Sequence, residues 1–194
     1  ALGSIPVTMQ PNLILTDEDN ASILLSGDPR FRNVISIGEI GGPVPNGFVG
    51  HIAPRKIRVE YDDVEADLPK VGRFGCTWDD VRDVVDFARL CAEDPFPALI
   101  HCAAGESRSA AAALVYFATL RGPGAEEEAV LDLVSAFDAT LTYGFRDSNR
   151  LRPNRRFTWM ADRLMGREGR LWAASEERFR EARKRPFDPA VVPS

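Results

Sequence analysis

The sequence predicts an α/β fold: a central, mostly parallel sheet flanked by helices on both faces. Three observations carry that expectation. Strand-like and helix-like stretches alternate along the chain. Asn33-Val34-Ile35-Ser36-Ile37 and Ala98-Leu99-Ile100 read as buried strands. The second of them passes through a tight loop into the small-residue helical run Ala110 to Leu120, a strand–loop–helix unit.

Taken in order, residues 1–4 read as a loose start and Asn12-Leu13-Ile14-Leu15 as a short strand. A helix is expected over Thr16 to Leu25, capped by Thr16 or Asp17, with acidic residues at its positive end. The strand Asn33–Ile37 ends at Gly38 and hands over to a Gly/Pro-rich surface segment that takes in His51. Lys56 to Tyr61 alternates, with Ile57, Val59 and Tyr61 on one face and Arg58 and Glu60 on the other. It runs straight into Asp62-Asp63-Val64-Glu65-Ala66-Asp67. Thr77, with Asp80 three residues on, forms a capping-box pattern for a helix whose stripe is Trp78, Val81, Val85, Ala88 and Cys91. Asp94-Pro95-Phe96-Pro97 then turns the chain into the strand Ala98–Ile100.

Beyond the Ala110–Leu120 helix, Gly122-Pro123-Gly124 breaks the chain. Ala125 to Phe137 is the next helix, with Val130, Leu133, Val134 and Phe137 facing inward. Asp138 to Leu151 carries no clear period. Pro153 is placed to open a helix over Asn154 to Met165. Leu171 to Arg183 reads as a last, basic helix anchored by Trp172 and Phe179, with a loose tail from Pro186.

Length and composition fit one domain, taken as residues 5–185 with flexible ends at 1–4 and 186–194; the chain has 194 residues, 44% of them hydrophobic. No apolar run approaches the ~20 residues of a membrane span. Three cysteines do not make a disulfide framework, which points to a reducing, cytoplasmic setting. Two histidines and no clustered Cys/His spacing argue against zinc, and no metal or other cofactor is expected. The net charge of −5 is unevenly spread: residues 1–145 carry 11 basic and 22 acidic side chains, residues 146–194 carry 13 and 7. The basic end is expected to pack on the acidic body. It is not interleaved with a nucleic-acid-reading motif, so no nucleic-acid partner is expected.

The chemistry-bearing stretch is His101-Cys102-Ala103-Ala104-Gly105-Glu106-Ser107-Arg108-Ser109. A loop between a strand end and a helix start points successive backbone N–H groups at one spot, where the helix adds roughly half a positive charge. Such a spot holds a tetrahedral dianion. Arg108 can close the cup with a planar fork matched to two phosphate oxygens. The same field favours the ionised form of Cys102. The loop is therefore read as holding a phosphate and aiming a thiolate at its phosphorus.

The spacing His-Cys, two residues, Gly, two residues, Arg, then Ser resembles the signature loop of the cysteine-dependent protein tyrosine phosphatases, the dual-specificity branch in particular. The resemblance spans roughly residues 30–165, through Asp62-Asp63 and Pro153-Asn154-Arg155-Arg156. With Leu164-Met165-Gly166-Arg167-Glu168-Gly169 it looks like a bacterial branch of that superfamily. It implies Cys102 as nucleophile, Arg108 on the equatorial oxygens, and the loop from Ala103 through Ala104, Gly105, Glu106 and Ser107 around the phosphate. It further implies that Ser109 donates to the cysteine sulfur, that His101 braces the loop from behind, and that the Asn33–Ile37 strand lies beside the catalytic one.

The family's general acid is an aspartate on the loop after the preceding strand, which here offers Asp62 and Asp63, with Asp67 third. Asp63 is preferred, because it continues the face of Val59 and Tyr61; Asp62 is the alternative. Asn154 is expected near the site, although its role as a helix cap already explains it, and Cys76 and Cys91 read as packing residues. Phosphoinositide-specific members carry lysines inside the loop, where this chain has Ala103, Ala104 and Glu106, so the resemblance implies a single-phosphate monoester, phosphotyrosine first. The expected function is metal-independent hydrolysis of a phosphorylated protein or small phosphomonoester through a phosphocysteine. The alternatives are a weakly active phosphate-binding module, a phosphatase for a non-protein phosphate such as a phosphoinositide, and a rhodanese-like sulfur-transfer loop.

Overall fold

Four strands, β1 (Leu13–Thr16), β2 (Asn33–Gly38), β3 (Arg55–Glu60) and β4 (Ala98–His101), form one parallel sheet in the order β1-β4-β2-β3. The computed structural model describes residues 12–140, 150–183 and 186–192. β4 is central: Ile100 sits opposite Leu15 on one side and Ile35 on the other, and His101 opposite Thr16 and Ser36. Ligands of parallel sheets bind past the carboxyl ends of the strands, where neighbouring connections diverge. Cys102 leaves β4 at that end.

Side chains along the strands divide between two cores, as the period of two requires. Val34 and Leu99 pack with Phe31, Phe48 and the α1 (Glu18–Gly27) residues Ala21 and Leu25; α2 (Asn46–Gly50) completes that layer. Leu13, Leu15, Ile35, Ile37 and Ile100 face the larger core. That core is filled by α3 (Trp78–Cys91), α4 (Arg108–Arg121), α5 (Glu126–Thr140), α6 (Arg155–Leu164) and α7 (Arg170–Arg178). Every residue of α4 from Arg108 to Ala118 is buried, and the run Ala110–Ala113 provides the small side chains that let α3, α5 and α6 approach it.

The caps follow the sequence closely. Asp17 Oδ1 accepts the Asn20 N–H at 2.8 Å. Thr77 and Asp80 form the reciprocal capping box, Asp80 Oδ2 accepting the Thr77 N–H at 2.7 Å. The basic end does pack on acidic partners: Arg167 Nη1 meets Glu126 at 3.1 Å in a buried pair, and Arg156 Nη1 meets Asp67 at 2.6 Å.

Several expectations shift. α6 starts at Arg155 with Asn154 as its cap, so Pro153 stands outside the helix rather than opening it. The last helix ends at Arg178, five residues short of the expected Arg183. α2 was not anticipated within the Gly/Pro-rich segment, and His51 at its end is buried, its ring nitrogens 3.0 and 2.9 Å from the Leu25 and Phe31 carbonyl oxygens. After Pro186 the chain returns to the body: Phe187 packs against Trp172 with ring centroids 5.1 Å apart, and Val192 rests on the larger core. The expected loose start at residues 1–4 and most of the Asp138–Leu151 stretch lie outside the described residues. Among the described residues no helix is long and apolar enough to cross a membrane.

Candidate active site

β4 delivers Cys102 to the base of the 101–109 loop, where the residue is only 2% exposed while Ala103 and Ala104 stand at the surface. Gly105 adopts φ +71°, the left-handed conformation that glycine takes without a Cβ penalty. That turn directs the Gly105 N–H onto Cys102 Sγ at 3.2 Å. Ser109, in the first turn of α4, places Oγ 3.1 Å from the same sulfur. The sulfur is therefore faced by two hydrogen-bonding groups, each able to stabilise negative charge on it.

Arg108 turns inward. Its Nη1 donates to the Tyr61 carbonyl at 2.8 Å, and the residue is 3% exposed. Nη2 lies 3.9 Å from the exposed Glu39 carboxylate, and Nε is buried with no hydrogen-bond partner among the described residues. One edge of the guanidinium is thus fixed to β3's end, while its Nε donor is unspent. A buried, unsatisfied cationic donor costs free energy that a bound oxyanion would recover. Tyr61, which supplies the anchoring carbonyl, is itself held by stacking on Phe157 at 5.7 Å; burial drives its hydroxyl pKa well up.

The three candidate acids separate by what they touch. Asp62 is buried, and its Oδ2 accepts the Phe74 N–H at 2.8 Å, closing the base of the loop between β3 and α3. Asp67 Oδ1 accepts from the Gly75 N–H at 3.0 Å and pairs with Arg156. Gly75 is needed there: a Cβ would lie 2.7 Å from Arg156 Nη1 and 2.9 Å from the Val64 carbonyl oxygen. Asp63 alone of the three reaches the 101–109 loop. Its Oδ1 accepts from Ser107 Oγ at 2.7 Å and from Asn154 Nδ2 at 2.9 Å.

Asn154 does more than cap a helix. Its Oδ1 accepts the Phe157 N–H at 3.0 Å, its backbone N–H donates to the Ser107 carbonyl at 3.1 Å, and its Nδ2 holds Asp63. The available signal was one of valence: a cap uses only the amide oxygen, leaving two N–H donors beside a phosphate-type loop. Glu106 is mostly buried and lies 3.3 Å from Arg150 Nε, so the carboxylate expected to repel polyanions is partly neutralised. His101 is buried, and both ring nitrogens lack partners among the described residues, so no ring hydrogen bond braces the loop. Burial, and then the nearby Arg58 charge, push its pKa down to about 4, which keeps the ring neutral. No group of three or more His, Cys, Asp or Glu that could hold a metal ion occurs among the described residues.

No protein-family model matches the chain, and no curated protein does. Solved structures do. Human DUSP28 matches with a TM-score of 0.52 at 18% identity, covering 80% of this chain and 92% of its own. A mouse putative dual specificity phosphatase, complexed with zinc tungstate, gives 0.51 at 17%, over 90% and 98%. DUSP15 gives 0.51 at 23%, over 92% and 94%. The likeness is one of backbone: this chain has the α/β fold of the dual-specificity phosphatases, with Cys102 on the loop that follows its central strand and Arg108 in the first turn of its buried helix.

Proposed function

We propose that the protein is a phosphatase of the cysteine-dependent tyrosine and dual-specificity type, hydrolysing phosphomonoesters without a metal. The observation that carries this reading is the arrangement around one sulfur. Cys102 Sγ lies against the Gly105 N–H and Ser109 Oγ, on the same short loop as an inward-turned guanidinium whose Nε is unspent. A buried structural cysteine explains none of those neighbours.

In the first step Cys102 Sγ attacks phosphorus, an S–P bond forms and the ester P–O bond breaks. The departing oxygen takes the proton of Asp63. Among the described residues both hydrogen bonds to that carboxyl fall on Oδ1, which reserves Oδ1 as acceptor and leaves Oδ2 to carry the proton. Arg108 stabilises charge on the equatorial oxygens. In the second step water attacks phosphorus and gives its proton to Asp63, while Ser109 supports the leaving sulfur with a hydrogen bond. Phosphotyrosine is the first substrate, phosphoserine and phosphothreonine the next.

The test is hydrolysis of p-nitrophenyl phosphate in excess chelator. Turnover inhibited by vanadate or tungstate and abolished by Cys102→Ser is the expected result. Turnover that requires an added divalent metal, or that survives in Cys102→Ser, would contradict it.

A further inference from the structure

Beyond Asp63 the loop from β3 to α3 runs out into a projecting turn. The Leu68 N–H donates to the Arg73 carbonyl at 2.7 Å, and the Arg73 N–H to the Leu68 carbonyl at 3.2 Å. Between them Pro69–Val71 form one turn of 3-10 helix, closed by Gly72 at φ +67°. A Cβ at Gly72 would meet nothing within 4 Å, so the turn stands clear of the body. Its shape is set by backbone bonds.

Its side chains are of two kinds. Leu68, Val71 and Phe74 are apolar and 44%, 67% and 44% exposed. Lys70 and Arg73 are exposed cations with no hydrogen-bond or ion-pair partner among the described residues. The neighbouring carboxylates are already engaged. Asp67 pairs with Arg156, Asp79 with Arg82, and Asp80 closes the capping box. The turn therefore carries uncompensated positive charge among apolar side chains. Ile40 and Val44, 54% and 40% exposed, lie on the connection that leaves the carboxyl end of β2, the parallel neighbour of β3. All of these apolar side chains stand at the end of the sheet where Cys102 lies.

Scattered exposed apolar residues are ordinary, but aliphatic and aromatic side chains interleaved with free cations on a convex tip are not. A protein partner needs about 800 Å² from each side, which favours a broad face over a narrow tip. A bilayer surrounds a convex tip: apolar side chains enter the boundary between headgroups and acyl chains, and cations meet anionic headgroups. We propose that this turn docks the protein on a membrane surface rich in anionic lipid, with Leu68, Val71 and Phe74 entering the interface and Lys70 and Arg73 on the headgroups. The inference goes beyond the phosphatase reading and does not depend on turnover. Taken with that reading, it brings Asp63 and Cys102 to the headgroup level, where the phosphates within reach are those carried at a membrane surface.

The experiment is co-sedimentation of the full chain with phosphatidylcholine vesicles, prepared with and without phosphatidylserine. Binding is expected to favour the vesicles containing phosphatidylserine and to weaken as salt rises. Val71→Asp should weaken it by about tenfold. Lys70→Gln and Arg73→Gln should each weaken it by about fivefold. Ile52→Asp, at a position 93% exposed just ahead of β3 and so at the other end of the sheet, should leave it unchanged. If Val71→Asp lowers the urea midpoint, Lys70→Gln carries the test, since that side chain holds nothing in the fold. Absence of binding, equal binding to both vesicles, or binding that Lys70→Gln leaves intact overturns the proposal. A loss in Ile52→Asp as large as in Val71→Asp overturns it too. So does a wild-type dimer that Val71→Asp turns into a monomer, because the tip then belongs to a second copy of the chain. Turnover of p-nitrophenyl phosphate in solution is read separately, so failure of the phosphatase reading and failure of this one are distinguished.

Discussion

Asp62 and Asp63 are neighbours of identical chemistry, yet one is a strut and the other faces the site. Strand periodicity points Asp63 to the face of Val59 and Tyr61, and that is the carboxylate within reach of Ser107. Asp63→Ala should lower kcat by about a hundredfold for an alkyl phosphate and far less for p-nitrophenyl phosphate, whose leaving group needs little protonation. Asp62→Ala should instead lower the unfolding midpoint. If Asp62→Ala gives the leaving-group dependence, the acid is misassigned. Asn154→Ser keeps a capping oxygen but removes the Nδ2 donor to Asp63. It should cost about tenfold in kcat for poor leaving groups and shift the acid limb of the pH profile; a uniform loss across leaving groups would reduce Asn154 to a structural cap. At this scale Cys102, Arg108 and Ser109 were legible because one short local motif contains them. The hydrogen bond from Asn154 to Asp63 was not, because the two are 91 residues apart and no local pattern records that contact.

The loop between β3 and α3 is fixed at three points before any ligand arrives. Asp62 closes it on Phe74, Asp67 ties it to Arg156 of α6, and Asp63 docks on Ser107. Leu68 and Arg73 bond reciprocally across its tip, at 2.7 and 3.2 Å. Such contacts hold Asp63 in place without a ligand. The side chain of Arg156 is 2% exposed, so Asp67→Ala leaves a buried guanidinium without its carboxylate and should cost about 3 kcal/mol, measured by urea unfolding. A loss below about 1 kcal/mol would show that the pair is solvated and the loop held otherwise. Elements with long hydrophobic periods, α3 above all, were readable from their stripes and caps. α2 was not, since its five residues carry no period and its two buried positions depend on contact with α1.

Across the whole molecule, two buried titrating groups make stability fall on acidification. His101 is held near 4 in the folded protein against an ordinary 6.5. The unfolded chain binds that proton first, so the contribution is complete above about pH 6.5 and drains away toward pH 4. Glu126 is pushed up by burial, but the Gly124 N–H, its own backbone N–H and Arg167 outweigh that, and its carboxyl sits below the usual value of 4.5. Its contribution is lost at lower pH still. The urea midpoint should therefore decline from about pH 7 to about pH 5, and the decline should flatten in His101→Asn. An unchanged slope in that variant would show that His101 is not the titrating group. The fold class and the two-sided burial were legible, because buried strands alternate with amphipathic helices; of the strand order only the pairing of β2 with β4 was expected, from the resemblance. The burial of His51 and the return of Phe187 to Trp172 were not, since both depend on contacts between distant surfaces.

Passage of phosphate through the sulfur of Cys102 is tested directly by mass analysis of enzyme quenched in acid during turnover of an aryl phosphate in chelator. One phosphoryl group on the peptide containing Cys102, absent from Cys102→Ser, is the predicted result. Phosphate release with that peptide unmodified at every time point would contradict it.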